Sequence, residues 1–160
     1  MEIEEFDKCM LPKKLQRINK MTEELEQLEE KKNRISFKRA YQMQRFDSKV
    51  YLKRLGYSSS EEFRKLYFPD MSRANFVKLC AVGKFLTRRR DGEVFSILAE
   101  EKIVNDLNGN PKTVIVDYDL YILAQMAKLS PKKLKELHRT GMINPQMTLA
   151  EIKDVMKEIQ

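Results

Sequence analysis

Two short helical segments with well-marked ends, separated by a tight turn, constrain the fold of this chain most strongly. The first covers about residues 60–67, where Ser59 and Glu62 match a capping box. Pro69 ends this segment, because proline pushes the preceding residue out of the helical conformation. Ser72 then provides an N-cap for a second, longer helix. Two helices joined in this way predict a helix-turn-helix.

The second helix, from Arg73 to Leu86, has an apolar side and a polar start. The side chains expected to pack inward are Phe76, Leu79, Cys80 and Gly83, and those expected to face out are Ser72, Arg73, Asn75 and Lys78. Arginine can make paired contacts to guanine and asparagine to adenine, whereas a serine beside the free amides of a helix start suits a phosphate. We therefore predict that the four outward residues read DNA.

Positive charge is concentrated in the middle of the chain. Residues 36–90 contain fourteen basic and four acidic residues, whereas the segments on either side are each slightly negative. A cationic surplus confined to one block predicts one basic surface that suits a polyanion. The residues expected to contact DNA phosphates are Lys53, Arg54, Lys84, Arg88, Arg89 and Arg90. The three consecutive arginines are expected to close the second helix, where they could instead complement the helix dipole.

The N-terminal third has the pattern of a charged helix with a heptad repeat. Leu11, Ile18 and Leu25 lie seven residues apart, as do Met21, Leu28 and Ile35. This spacing predicts either a dimerising coiled coil or an amphipathic helix folded back on its own domain. In the first case the dimer contacts are Leu11, Ile18, Met21, Leu25 and Leu28. A further periodic helix is expected from Phe37 to Leu55, ended by Gly56.

The C-terminal part mixes short helices with one or two short strands. Residues 93–98 could be helix or strand, and the β-branched residues 112–117 predict a strand. If these two runs pair, they form a hairpin that could act as a wing. Helices are expected after Asp117 or Asp119, after Ser130, and after Thr148 with Glu151 as its capping partner.

We therefore predict a mainly α fold, a helical bundle with a long N-terminal helix and a central helix-turn-helix. A small β-hairpin around 93–117 is expected if the two runs pair, and otherwise residues 112–117 are an extended linker. Its three parts are residues 1–35, 36–92 and 93–160.

The sequence offers little for catalysis. Cys9 and Cys80 are far apart and belong to no Cys-x-x-Cys pair, so neither a disulfide framework nor a zinc site is expected, and Cys80 is expected to be a small core residue. His138, among charged neighbours, is expected to be a solvated surface residue. No phosphate-cradling loop or nucleophile elbow is present. We expect no enzyme, cofactor, metal or small-molecule substrate.

The expected location is the cytoplasm. The sequence has no run of about 18 apolar residues and no basic-then-apolar start of a secretory signal. We therefore expect no membrane insertion.

The segments from Tyr51 to Phe63 and from Met71 to Leu79 together resemble a phrase of bacterial DNA-binding proteins of plasmids, phages and integrated mobile elements. In those proteins a helix containing Gly-Tyr-x-Ser and phenylalanine precedes a serine-led recognition helix. The segment 146–152 is similar to their threonine-capped last helix, and the second phrase is similar to the helix-turn-helix of ParB-type partition proteins. The arginine-rich nucleotide-binding box of partition proteins is not found. The resemblance implies DNA binding by Ser72, Arg73, Asn75 and Lys78.

Together these features predict a duplex-DNA-binding protein, paired through its N-terminal helix, that is regulatory or accessory to a bacterial mobile element. The alternative is a helical interaction protein whose basic face binds an acidic protein or an anionic membrane surface.

Overall fold

The computed structural model describes residues 3–106 and 108–159, with side chains from residue 12 onward. This part of the chain is mainly helical and contains two small antiparallel hairpins, in agreement with the predicted fold class. Its helices are α1 (Ile3–Met43), a single-turn 3-10 helix (Gln44–Asp47), α2 (Lys49–Arg54), α3 (Ser60–Tyr67), α4 (Arg73–Phe85), α5 (Leu120–Gln125), α6 (Pro131–Arg139) and α7 (Leu149–Ile159). Its strands are β1 (Thr87–Arg90), β2 (Glu93–Ser96), β3 (Glu100–Asn105) and β4 (Pro111–Val116).

Helix α1 is one continuous rod of 41 residues that runs across residues 35 and 36. It therefore joins the heptad segment to the start of the basic block, and at 1.5 Å per residue it spans about 60 Å. The helix predicted from Phe37 to Leu55 is wrong as a single element. Ser48 adopts an extended conformation and its hydroxyl accepts a hydrogen bond from the amide of Tyr51, which starts α2 as a separate helix.

The predicted caps of α3 and α4 are confirmed. The Ser59 hydroxyl accepts the amide of Glu62 at 3.1 Å, and the Glu62 carboxylate accepts the amide of Ser58 at 2.7 Å. The Ser72 hydroxyl accepts the amide of Asn75 at 3.2 Å. Residues 68–72 connect the two helices without regular structure. These local bonds satisfy amides that helix starts otherwise leave unpaired.

The strand pairing differs from the prediction. Residues 93–98 and 112–117 do not pair with each other: β2 pairs with β1, and β4 pairs with β3. The cause lies at Asp91 and Gly92, whose φ angles of 51° and 78° form the two-residue turn that suits a hairpin. This turn folds β2 back onto the chain just before it. The three arginines consequently form β1 and do not close α4, which ends at Phe85.

One buried apolar cluster draws on most of the helices. It includes Phe37 of α1, Leu52 of α2, Phe76 of α4, Leu134 of α6 and Ile152 of α7. Residues 36–92 and 93–160 therefore share one core.

A buried ion pair fastens α1 to the strands. Arg34 Nη2 lies 2.7 Å from Asp117 Oδ2, and the two side chains are only 7% and 1% exposed. Arg34 Nη1 also donates to the carbonyl of Val94 at 2.6 Å, and its guanidinium lies 4.0 Å from the centre of the Phe95 ring. Asp117 in turn accepts the amide of Ser96 at 3.0 Å. The network joins α1, β2 and the link from β4 to α5.

We predict that Asp117→Ala destabilises the protein severely. The substitution leaves the buried Arg34 guanidinium with only the half-exposed Glu30 as an acidic neighbour, and breaking a buried pair in this way costs about 3 to 5 kcal/mol. Asp119→Ala is the matched control, because the exposed Asp119 carboxylate only caps α5 and its loss should cost about 1 kcal/mol. Urea unfolding measures both. An equal loss in the free energy of unfolding for the two variants would show that the buried pair is not a major source of stability.

Candidate nucleic-acid interface

Helix α4 is held against α1 by direct contact between their backbones. A Cβ atom added at Gly83 would lie 2.0 Å from the Ala40 carbonyl oxygen. The oxygen belongs to the backbone of α1 and the position of the Cβ is set by the backbone of α4, so neither can move aside and only glycine fits at this crossing. The predicted inward residues of α4, namely Phe76, Leu79, Cys80 and Gly83, are all buried, and this prediction is confirmed.

Cys80 is a core residue, as predicted. Its thiol donates to the Met43 carbonyl at 3.6 Å. Burial, with a smaller effect from Asp47, raises the pKa of the Cys80 thiol to about 12. Since the thiolate is the reactive form, this cysteine is inert at neutral pH.

The predicted base-reading residues differ in their exposure and do not all lie on the same side of α4. Ser72, Arg73 and Asn75 are exposed, whereas Lys78 is half-buried. Asn75 borders a hollow of about 380 Å³ that is also lined by Phe68 and Leu79, so it lies toward the buried side.

The centre of the exposed face of α4 is apolar, a feature that the sequence analysis missed. It consists of Ala74, Val77, Ala81 and Phe85. Their spacing of three and four residues could have revealed it, because such residues share one side of a helix.

The predicted phosphate-contacting residues differ in their surroundings. Lys53 and Arg54 are exposed in the last turn of α2. The Lys84 ammonium lies 5.2 Å from the centre of the Phe85 ring, and the Arg89 guanidinium lies 5.5 Å from that of Tyr41. Both cations are exposed and keep their charge free of any acidic partner among the described residues.

Arg88 and Arg90 are tied to the protein itself. Arg88 Nη2 donates to the Ala99 carbonyl at 2.8 Å, and Arg90 Nη1 lies 2.5 Å from Glu101 Oε1. Both side chains remain exposed. These contacts fix the hairpin β1–β2 to the chain that follows it and reduce the freedom of two of the three arginines.

The basic block as a whole is open to solvent. Each of its fourteen basic residues is at least partly exposed, and in the described part of the chain only Arg64 and Arg90 form ion pairs with acids. The remaining twelve have no acidic partner within 4.0 Å there.

An acid, Asp47, lines a groove of about 440 Å³ beside Val77 and Lys84.

The heptad side chains of α1 are exposed. Ile18, Met21, Leu25 and Leu28 are 56%, 56%, 62% and 59% exposed, while the side chain of Leu11 lies outside the described residues. The helix packs on its own core through a different side, which includes Phe37 and Ala40. The alternative in which these residues fold back on their own domain is therefore wrong for Ile18, Met21 and Leu28, whereas Leu25 also lines a hollow beside Ile115 and Tyr121.

His138 is not a solvated surface residue, contrary to prediction. Its side chain is 16% exposed, its Nδ1 lies 2.6 Å from the hydroxyl of Tyr118 and its Nε2 lies 2.8 Å from Glu100 Oε1. Burial raises the pKa of Tyr118 far above its ordinary value, so the tyrosine stays protonated, and its hydroxyl shares a hydrogen bond with the imidazole. Both partners are distant in sequence, and no local signal indicates them.

No helix in the described ranges combines the length and apolar character needed to cross a membrane. Among the same residues, no three His, Cys, Asp or Glu side chains are grouped to hold a metal ion. Comparison with protein-family models, curated proteins and solved structures gave no significant match. The resemblance to proteins of mobile elements therefore stays a prediction.

We predict that Gly83→Ala destabilises the protein. Helix propensity alone would make this change stabilising by about 1 kcal/mol, so the close contact with Ala40 reverses the expected sign. Ala74→Gly on the exposed side of α4 is the control, with an expected loss of about 1 kcal/mol. Thermal unfolding of both variants measures the effects. A more stable Gly83→Ala protein would show that the two helices are farther apart.

Proposed function

We propose that this protein binds duplex DNA, with α3, residues 68–72 and α4 acting as a helix-turn-helix and the hairpin β1–β2 acting as a wing. One observation carries the proposal. Twelve basic residues of the block have no acidic partner among the described residues, and three of them, Arg73, Lys78 and Lys84, lie on α4, which keeps one side exposed. Cations without internal partners are available to displace counterions from phosphates.

In this proposal the start of α4 enters the major groove. Arg73 supplies a base contact there, and the amides at the capped helix start favour a nearby phosphate. Lys53, Arg54, Lys84 and Arg89 bind flanking phosphates. The turn of the hairpin, at Asp91 and Gly92, is short enough for β1 to approach the adjacent backbone.

We infer that two copies pair through the heptad face of α1. Four large apolar side chains are exposed along one side of α1. Packing them against the same side chains of an identical helix would remove apolar surface from water, which favours pairing. Pairing would place two copies of α4 on one DNA molecule and so set the spacing of two half-sites.

The proposed biological role is that of a regulatory or accessory protein of a bacterial mobile element, acting in the cytoplasm without catalysis. The sequence resemblance described above supports this role.

We predict weak binding to random duplex DNA with a steep dependence on salt. Fluorescence anisotropy between about 50 and 200 mM salt should give a linear decrease of log affinity with log salt concentration. Lys84→Ala should reduce the slope by about 1. Lys132→Ala is the matched control, because this exposed lysine on α6 lies outside the basic block and should leave the slope unchanged.

Two further variants separate base reading from phosphate contact. Arg73→Ala should relax sequence choice, whereas Arg89→Ala should weaken binding to all sequences alike. Identical behaviour would remove the recognition role of α4. If duplex DNA does not bind at low salt but vesicles of anionic lipid or an acidic protein do, the alternative interaction protein is correct.

We predict that Leu25→Asp converts a dimer to a monomer in analytical ultracentrifugation, because a carboxylate cannot be buried between two helices without a partner. Leu66→Asp is the matched control: Leu66 is 63% exposed on α3, against 62% for Leu25, and should leave the mass unchanged. A wild-type protein that sediments as a monomer at high concentration would refute the pairing.

A further inference from the structure

The exposed side of α4 has an apolar centre and a cationic border. The centre consists of Ala74, Val77, Ala81 and Phe85, of which Val77 is 48% and Phe85 is 55% exposed. The border consists of Arg73, Lys78 and Lys84. Residues of the proposed recognition helix that can approach the floor of a groove are therefore mostly apolar, and the cations lie at the edges.

We propose that this apolar centre reads the methyl groups of thymine, so that the protein prefers duplex sites rich in A·T pairs. The inference rests on the DNA binding proposed above and adds the sequence class. The C5-methyl group of thymine is the apolar group exposed in the major groove, and alanine and phenylalanine side chains are suited to contact it. Valine offers the same kind of surface.

The composition of this face favours DNA over a protein partner. Protein interfaces concentrate large aromatic and arginine side chains, while alanine and lysine are depleted there. On this face Phe85 and Arg73 are of the enriched types, and the four residues Ala74, Ala81, Lys78 and Lys84 are of the depleted types. Ala74 and Ala81 are too small to fill a pocket on a partner, but their size lets the helix backbone come close to base edges. The cations Arg73, Lys78 and Lys84 match the phosphates on both sides of a groove.

Asp47 lies at one edge of the apolar centre. It lines the groove beside Val77 and Lys84, so the Lys84 ammonium offsets the repulsion between the Asp47 carboxylate and a phosphate there. We therefore expect a phosphate to be bound more strongly on the other side of the centre, where Lys78 lies. Asn75 lies toward the buried side of α4, so it contributes less to base reading than its chemistry suggests.

The test removes the methyl group and nothing else. Binding sites are selected from a random duplex pool, and each thymine of a selected site is then replaced in turn by uracil. We expect at least one position where uracil weakens binding about fourfold at constant salt, as the loss of one buried methyl contact implies. Fluorescence anisotropy measures the affinities.

A matched pair of variants assigns the effect to α4. Val77→Ser should abolish the uracil penalty at the contacted position, so that the thymine and uracil sites bind equally well. Val50→Ser should keep it, because Val50 is an equally apolar residue, 66% exposed, on α2 of the same basic block. Circular dichroism shows whether both variants are folded. The uracil measurement on the wild-type protein does not depend on either variant.

The outcomes are distinguishable. Tolerance of uracil at every position, with salt-dependent duplex binding intact, overturns the methyl reading and leaves DNA binding standing. No detectable duplex binding overturns both. An apolar face that serves a protein partner instead would give no uracil penalty and unchanged duplex affinity in Val77→Ser, and that result also contradicts the inference.

Discussion

The buried pair of Arg34 and Asp117 joins parts of the chain that lie 83 residues apart in sequence. Removing two charges from water is costly, so such a pair is stable only where further hydrogen bonds use the remaining donors and acceptors. Here Asp117 also accepts the amides of Ser96 and Tyr118 at 3.0 Å and 2.8 Å, and Arg34 also bonds the Val94 carbonyl. The position of β2 against α1 is therefore fixed by several bonds at once.

Glu30 is the weaker partner of the same arginine. Its Oε1 lies 2.9 Å from Arg34 Nε, a distance that allows an ion pair, yet the N–H is not aligned for a hydrogen bond. Burial raises the pKa of Glu30 above its ordinary value despite the nearby guanidinium, which means that the environment on balance disfavours its charge. Asp117 is the acid that holds the network together.

One stretch of α1 thus positions both elements of the proposed interface. Arg34 holds the hairpin β1–β2, and Ala40, less than two turns later, contacts Gly83 of α4. Because Arg34 and Ala40 lie on the same continuous helix, α1 sets the spacing between the hairpin and α4. The exposed heptad face belongs to the same rod, and in the proposed dimer it would transmit its geometry directly to the two copies of α4.

Local chemistry was predictable from the sequence, and distant pairing was not. The caps at Ser59, Ser72, Ser130 and Thr148 are correct because each depends on residues within one turn. The hairpin partners were wrong because the two-residue turn at Asp91 and Gly92 outcompetes a pairing between segments farther apart. The roles of Asp117 and His138 depend on partners 83 and 38 residues away, which no local pattern indicates.

The two sides of α4 were predicted with unequal success for the same reason. The inward side of α4 follows from apolar periodicity, so it was predicted. The outward side was assigned by the chemistry of single residues, Arg73 and Asn75 above all, and Ala74, Val77 and Ala81 were overlooked. In the structure Ala74 and Val77 are exposed and Ala81 is half-buried.

The two exposed apolar faces of this protein differ in ways that suit different partners. The face on α1 is built from isoleucine, methionine and leucine, flanked by both acidic and basic residues such as Glu24 and Lys31, and large apolar side chains at heptad spacing match an identical helix. The face on α4 is built mainly from small side chains, and the residues of α4 that border it are the cations Arg73, Lys78 and Lys84. The small side chains offer a partner helix little volume to pack against. A DNA groove that exposes thymine methyl groups between its phosphates would match both the size and the charge of this face. In the proposed function, the size of the exposed apolar side chains therefore separates self-association through α1 from DNA recognition through α4.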